Sequence, residues 1–171
     1  ISIQYLIVEL ISIISFGVVY FFYGITFTTL WFIILALTFI IIFFIDLKHY
    51  IIPNSLTFPL MFLGFIKSFD PNLNELFPNY INSLIGGVFG YGIIWAIIFI
   101  YKVLRNKEGM GLGDAKLFCG IGLWFGFQSV FIIIFLASII ALIIIAPKLI
   151  MGKIKMKNEI PFGPFIIIGN L

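Results

Sequence analysis

The chain has 171 residues, of which 63% are hydrophobic and 10% are charged, and its mean hydropathy is +1.25. Water-soluble domains are about half apolar and about a quarter charged, so this composition excludes a soluble globule and predicts a protein solvated by lipid. The net charge is +3, and its meaning depends on where the cations lie along the chain.

Seven apolar stretches follow one another, and each is predicted to be helical. Helices and closed barrels satisfy their own backbone hydrogen bonds in lipid, and the alternating polarity of barrel strands is missing here. Two stretches, 56–69 and 115–127, are shorter than the ~20 residues of a full span, so we expect them to be tilted or partly re-entrant. The sequence therefore predicts an all-α, polytopic transmembrane bundle of about six or seven helices in a single domain, 1–171. The stretches are 3–22, 30–45, 56–69, 81–104, 115–127, 130–146 and 161–171.

The basic residues are distributed unevenly between the connecting segments. If the spans alternate and the first begins in the cytoplasm, Lys67 is the one cation on the outside. Such asymmetry is what the positive-inside rule requires, so it predicts the orientation. The run 148–157 is interpreted as an inside loop that faces headgroups, with contact to a cytoplasmic partner as the alternative. The cations predicted on the inside are Lys48, Lys102, Arg105, Lys107, Lys116, Lys148, Lys153, Lys155 and Lys157.

Small residues indicate close helix packing. Gly86 and Gly90, and again Gly122 and Gly126, are four positions apart, which would place each pair on one helix face and let neighbouring backbones approach. The single cysteine, Cys119, excludes a disulfide framework or a cysteine-cage zinc site within this chain. It is expected to be a packed helix residue.

Four carboxylates lie at or near the predicted membrane segments: Glu9, Asp46, Glu108 and Asp114. Asp46 ends the apolar run 35–45, where a carboxylate costs free energy unless it has a partner or a purpose. Asp114 follows a glycine-rich segment and precedes an apolar stretch. In the predicted topology both aspartates lie at the cytoplasmic ends of their helices, so their side chains can meet.

Two carboxyl groups held close in a low-dielectric site share one proton, because repulsion and desolvation oppose ionisation of both. The ionised member can take a proton from water, which attacks a peptide carbonyl, while the protonated member hydrogen-bonds the carbonyl oxygen. This chemistry uses no metal, and we expect neither a metal nor a cofactor. Gly109, Gly111 and Gly113 allow backbone dihedral angles closed to other residues and leave room for an extended substrate strand.

Structural interpretations of the same residues stay open at this point. A single Asp at a helix end is more often a cap or an interfacial anchor than a catalyst, and Asp114 could simply cap the following helix. His49 is expected to be solvated or to face headgroups. Glu108 beside a lysine is by default a surface charge, and Glu9 can cap, pair or pack near the start of its span.

The segments around the two aspartates resemble those of the type IV prepilin peptidases, which belong to the membrane aspartyl proteases marked by a glycine-any-glycine-aspartate motif. In this chain the motif ends at Asp114, and the first aspartate, Asp46, precedes another family hallmark. The resemblance covers nearly the whole chain. The matching segments are Gln4-Tyr5, Val8-Glu9-Leu10, Ile45-Asp46-Leu47-Lys48, Ile52-Pro53-Asn54, Lys107-Glu108-Gly109-Met110-Gly111-Leu112-Gly113-Asp114-Ala115-Lys116-Leu117 and Ile160-Pro161-Phe162-Gly163-Pro164-Phe165.

The resemblance implies an intramembrane aspartic endopeptidase with Asp46 and Asp114 as its catalytic pair. The implied substrates are prepilins and pseudopilins, whose short basic leader is cut on the cytoplasmic side after a glycine that precedes a hydrophobic helix. Pilus assembly and type II secretion are the implied pathways, in the bacterial inner membrane with the active site toward the cytoplasm. The implied partners are substrate helices and the lipid bilayer, and no nucleic acid. The implied substrate-binding or loop-shaping residues are Gly111, Gly113, Lys116, Pro53 and Asn54.

Many bacterial members of this family also carry a cytoplasmic domain with paired cysteine motifs and methylate the new amino terminus with S-adenosylmethionine. With one cysteine, this chain does not support methyltransferase activity, and we expect a lost domain, a separately encoded one, or a truncation at one or both ends. Two other function classes stay open. A small proton- or cation-coupled transporter predicts acids near mid-membrane, and an inactive membrane scaffold needs neither aspartate. The sequence makes no prediction of oligomeric state.

Overall fold

The computed structural model describes residues 3–70, 73, 76–105, 110–151 and 161–170, and these residues form seven helices and no strand. This confirms the predicted all-α bundle. The helices are α1 (Ile3–Tyr23), α2 (Phe27–His49), α3 (Asn54–Lys67), α4 (Tyr80–Arg105), α5 (Leu112–Phe125), α6 (Phe127–Ile150) and α7 (Gly163–Gly169).

Four helices, α1, α2, α4 and α6, are long and apolar enough to cross a bilayer, with 21, 23, 26 and 24 residues. At a rise of ~1.5 Å per residue each reaches about the ~30 Å of the hydrocarbon core. Helices α3 and α5 have 14 residues each, so they are as short as the sequence predicted. The chain is therefore a membrane protein that combines four long helices with the shorter helices α3 and α5.

Helix α5 lies at the centre of the bundle. It packs against α3, α4 and α6, and most of its side chains are buried. The short α7 contacts both α2 and α6, and it is buried over most of its length. By contrast α1 packs against α2 and has no buried residue, so it faces lipid. Cys119 is half-buried in α5, in agreement with its predicted packing role.

Glycines bring α4 and α5 into backbone contact, as predicted. A Cβ at Gly86 would collide with the Gly122 carbonyl oxygen, and one at Gly90 would collide with the Phe118 carbonyl oxygen. The prediction that Gly126 shares a helix face with Gly122 is wrong. Gly126 has a φ of 82° and is the junction that ends α5 and begins α6, a backbone conformation that favours glycine.

The sequence placed the ends of two helices at the wrong residues, and both differences affect the candidate site. Helix α2 continues through Asp46 to His49 and ends at Tyr50, which has a φ of 57° and donates its N–H to the Asp46 carbonyl oxygen at 2.9 Å. Helix α5 begins at Leu112, before the apolar stretch, because Gly111 is its N-cap. Both aspartates therefore lie inside helical turns.

Lys67, the one cation predicted on the outside, is a core residue with 1% of its surface exposed. Its Nζ lies 4.0 Å from the centre of the Phe77 ring and 5.5 Å from that of Trp124. Among the described residues it has no hydrogen-bond partner. The orientation in the bilayer stays a prediction, and four cations on which it depends lie outside the described residues: Lys107, Lys153, Lys155 and Lys157.

Candidate active site

Asp46 lies in the last turn of α2 and is 4% exposed. Its Oδ2 accepts a hydrogen bond of 3.0 Å from the backbone N–H of Gly163, the first residue of α7. Charged side chains are rarely buried unless they are paired or hydrogen-bonded, and the amide supplies one such bond. The carboxyl group is thus held at the junction of two helices that are far apart in sequence.

Asp114 is the third residue of α5 and is 8% exposed. It is not the N-cap of the helix, because Gly111 occupies that position, but as the acidic residue of the first turn it can still stabilise the start of α5. Its Oδ1 is buried and has no hydrogen-bond partner within the described part of the chain. A buried carboxyl oxygen without a partner is costly, so this atom is suited to a polar ligand such as water or a peptide group.

The two carboxyl groups converge around Ile52: Asp46 accepts the hydrogen bond from Gly163, Asp114 directly follows Gly113, and Ile52 packs against both glycines. Both belong to terminal turns, one at the end of α2 and the other at the start of α5, and both are buried. The structure therefore brings together the two acids that the sequence predicted to meet. Their position at helix ends differs from the mid-membrane acids that a transporter predicts.

Ile52, in the segment between α2 and α3, fills the space beside Gly113 and Gly163. A Cβ at Gly113 would lie 3.0 Å from the Ile52 Cβ, and one at Gly163 would lie 3.2 Å from its Cδ1. Ile52 therefore packs between the first turns of α5 and α7. It belongs to a segment that resembles the family, but no local pattern in the sequence predicts this contact.

Gly111 and Gly113 do not use unusual dihedral angles, and Gly113 leaves room for the close approach of Ile52. Gly111 has a φ of −81°, and Gly113 is helical. The expectation of dihedral angles closed to other residues is therefore wrong at both positions, since Gly113 lies inside α5. Gly111 is exposed, with its missing side chain directed toward the Asp114 carboxyl, where a Cβ would be 3.8 Å from Oδ2.

Three predicted loop-shaping residues fix the start of α3. Pro53 is its N-cap, and the Pro53 carbonyl oxygen accepts the N–H of Thr57 at 3.1 Å. Lys116 of α5 donates a hydrogen bond of 2.7 Å to Oδ1 of Asn54, and its Nζ lies 5.6 Å from the centre of the Phe58 ring. These contacts tie α3 to α5 one turn from Ile52 and Asp114.

Two other residues that the sequence singled out are exposed in the structure. His49 is exposed, as predicted, and Glu9 is exposed on α1. The motif residues Lys107, Glu108, Gly109 and Ile160 lie outside the described residues. Gly163 lies within a segment that resembles the family, but it was not predicted to be a site residue. A glycine directly before Pro164 at a helix start was the available signal.

The part of the chain that the structure describes contains no cluster typical of a metal site. Among the described residues, no group of three or more His, Cys, Asp and Glu side chains could hold a metal ion. The expectation that neither a metal nor a cofactor takes part stays a prediction. What the described residues provide is a pair of carboxyl groups, one amide donor and one unpartnered carboxyl oxygen.

Comparison with known proteins bears on this arrangement. The type IV leader peptidase family matches residues 32–146, which include both aspartates. The chain belongs to this family. Two relatives bear the name prepilin leader peptidase/N-methyltransferase: the Neisseria gonorrhoeae protein is 34% identical over 98% of this chain and 56% of its own length. The Pseudomonas aeruginosa protein is 33% identical over 96% of this chain and 56% of its own length.

A third leader peptidase relative of the same name, from Stutzerimonas stutzeri, is 37% identical over 72% of this chain and 42% of its own length. The chain thus spans about half the length of the curated relatives it matches. No solved structure matches the chain. The family match ends at residue 146, before α7 begins. Gly163, which donates the hydrogen bond to Asp46, therefore lies outside the matched region.

Proposed function

We propose that the chain acts as an aspartic endopeptidase that removes the basic leader of type IV prepilins and pseudopilins. The observation that carries the proposal is the pair of buried carboxyl groups of Asp46 and Asp114, which converge around Ile52. The names of the relatives support the substrate class. The proposed location is the bacterial inner membrane, with the site toward the cytoplasm, in support of pilus assembly or type II secretion.

In the proposed mechanism, Asp46 and Asp114 share one proton, because two buried carboxyl groups at close range oppose each other's ionisation. The ionised member removes a proton from water as the water attacks the scissile carbonyl carbon. The protonated member hydrogen-bonds the carbonyl oxygen and stabilises its developing negative charge. The proton is then returned to the leaving amine. Burial of the site strengthens these interactions because little water competes for the charges.

The proposed orientation fits the chemistry of the substrate. A prepilin keeps its basic leader in the cytoplasm and has an apolar helix in the bilayer, so its cleavage site lies at the membrane face. The cation distribution predicts that the ends of α2 and α5 that hold the aspartates face the same side. A substrate could then reach the pair by lateral movement in the membrane, without leaving the bilayer.

The test is cleavage of a purified prepilin by the chain reconstituted in liposomes. Wild type should cleave it, while Asp46→Asn and Asp114→Asn should each lose activity and retain their helical content and thermal unfolding. His49→Gln is the matched control, because His49 is exposed and lies in the same turn region as Asp46. Full processing by either aspartate variant would refute the catalytic pair, and absence of cleavage by wild type would favour a scaffold.

A further inference from the structure

The side chain of Ile52 lies between the two helix turns that hold the carboxyl groups of the proposed catalytic pair. Its Cβ is 3.0 Å from the position that a Cβ would take at Gly113, the residue before Asp114. Its Cδ1 is 3.2 Å from the position that a Cβ would take at Gly163, whose N–H binds Asp46. One end of the side chain therefore faces the turn of Asp114, and the other end faces the amide donor of Asp46.

The Asp46 carboxyl borders the same small gap as Ile52. The position of a Cβ at Gly163 is 2.6 Å from Asp46 Oδ2 and 3.2 Å from Asp46 Cγ, the same distance as from Ile52 Cδ1. The terminal methyl group of Ile52 and the carboxyl group of Asp46 thus approach one point from two sides. Protein interiors are close-packed, so a change in the size of such a side chain shifts its neighbours.

The backbone on both sides of Ile52 is constrained, so the side chain cannot simply move aside. Tyr50 ends α2 with a φ of 57° and donates its N–H to the Asp46 carbonyl oxygen. Pro53 is the N-cap of α3 with a φ of −68°, and the residue before a proline is restricted to extended conformations. Ile52 is therefore held between the end of one helix and the start of the next, as a rigid part of the site.

We propose that Ile52 is a positioning residue that sets the separation of the Asp46 and Asp114 carboxyl groups. The proposal rests on the proposed function for the meaning of that separation. Carboxyl groups that are too far apart cannot share one proton, and groups that are too close exclude the attacking water. By keeping the first turns of α5 and α7 apart, Ile52 holds the two groups at the separation that the reaction needs.

Solid-state NMR measures this separation without any cleavage assay. The chain has three aspartates, Asp46, Asp70 and Asp114, so Asp70→Asn leaves only the proposed pair. Asp70 lies beyond the end of α3, away from the turns that meet at Ile52. With the carboxyl carbon of every aspartate labelled with ¹³C, dipolar recoupling in liposomes then reports one distance, between Cγ of Asp46 and Cγ of Asp114.

Two substitutions change the size of the side chain in opposite directions. Ile52→Val removes the terminal methyl group that faces Gly163, and Ile52→Phe enlarges the side chain. We expect Ile52→Val to shorten the distance between the two carboxyl carbons and Ile52→Phe to lengthen it. Ile51→Val and Ile51→Phe are the matched controls, because Ile51 is the neighbouring residue and is 58% exposed. Both controls should keep the distance of the parent protein.

Kinetics provide a second arm, with the aspartates of the wild type in place. Ile52→Val and Ile52→Phe should each lower kcat for a prepilin by about tenfold and leave KM near wild type, because misplaced carboxyl groups impair the transition state and not substrate binding. Equal kinetic constants in the Ile52 variants and the Ile51 controls would contradict the positioning role.

The distance measurement decides the proposal by itself. Equal distances in the Ile52 and Ile51 variants, or no detectable coupling between the two carboxyl carbons in the parent protein, would overturn it. Lower thermal stability of Ile52→Val at an unchanged distance would do the same and would show that Ile52 only fills the core. Ile52→Val is a mild substitution, so the test does not depend on the folding of Ile52→Phe. Because no substrate is present, failure of the positioning role is distinguishable from absence of cleavage by wild type.

Discussion

The backbone N–H of Gly163 and the carboxyl of Asp46 are joined by a hydrogen bond of 3.0 Å, and the gap between the two residues has no room for a side chain. A Cβ at Gly163 would lie 2.6 Å from Asp46 Oδ2. Helix α7 therefore positions one member of the proposed catalytic pair through a backbone donor, and a glycine is the residue that allows the approach. This relationship connects the end of the chain to α2.

Gly163→Ala should lower prepilin cleavage by about 10²-fold, because the added methyl group displaces the Asp46 carboxyl and misplacement by ~1 Å has costs of this size. Thermal unfolding should change far less than activity. Gly17→Ala in α1 is the matched control, since a Cβ there meets no atom within 4 Å. Cleavage by Gly163→Ala at the rate of the control would show that the Gly163 contact does not position Asp46.

A second prediction concerns the hydrogen bond of 2.7 Å from Lys116 Nζ to Asn54 Oδ1, which ties α5 to α3. Asn54→Ala and Lys116→Met should show a coupling free energy of about 1 kcal/mol in a double-mutant cycle of unfolding in detergent. The expected coupling free energy is small because Asn54 is exposed, so water competes for the hydrogen bond. The control cycle combines Asn54→Ala with Lys48→Met, an exposed cation on α2, and should be additive. Equal coupling in both cycles would mean that the hydrogen bond contributes nothing specific.

The sequence predicted the parts of the fold that depend on composition and spacing. Apolar runs located the long helices, and the spacing of Gly86 and Gly90 predicted a close approach of neighbouring backbones, without showing that α5 is the partner. The two aspartates could be singled out because a carboxylate beside an apolar run is unusual in lipid. Helix ends were less predictable, since the end of α2 depends on Tyr50 and the start of α5 on the Gly111 cap.

Other features required tertiary contacts that no local pattern contains. The hydrogen bond from Gly163 to Asp46 joins residues 117 positions apart, and the packing of Ile52 between two glycines depends on three separate segments meeting. Lys67 is a further case, because a lysine at a helix end beside a polar loop is normally solvated. Its burial depends on the rings of Phe77 and Trp124, which come from other parts of the chain.

The contact of α4 with α5 gives a third prediction. Gly86→Ala should lower the free energy of unfolding by about 1–3 kcal/mol, because the new Cβ would lie 2.6 Å from the Gly126 carbonyl carbon and 2.8 Å from the Phe127 nitrogen. Backbone atoms cannot move aside as a flexible side chain can. Gly92→Ala is the matched control on the same helix, where a Cβ meets no atom within 4 Å.

Gly92→Ala should be neutral or stabilise the protein by up to about 1 kcal/mol, since alanine is the better helix former. Unfolding of both variants is followed by circular dichroism in the same detergent. If the two substitutions change stability equally, the close approach of α4 and α5 is not the reason that position 86 is a glycine.

The last prediction separates the charge of Lys67 from its volume. The ammonium group is buried against Phe77 and Trp124 and lacks a hydrogen-bond acceptor among the described residues. Cation–π attraction contributes about 0.5–2 kcal/mol, whereas removing an ion from water costs several kcal/mol, so desolvation outweighs the attraction. Lys67→Met, which keeps the length of the side chain, should therefore unfold at the same temperature as wild type or higher.

Lys67→Ala should instead lose about 2–4 kcal/mol of stability, because it leaves a cavity between the two rings. Lys48→Met, at an exposed cation, should change stability by less than about 0.5 kcal/mol. Thermal unfolding of the three variants in one detergent measures the difference. If Lys67→Met were destabilised as much as Lys67→Ala, the charge itself would have to be stabilising, which requires an acceptor for Nζ beyond the residues that the structure describes.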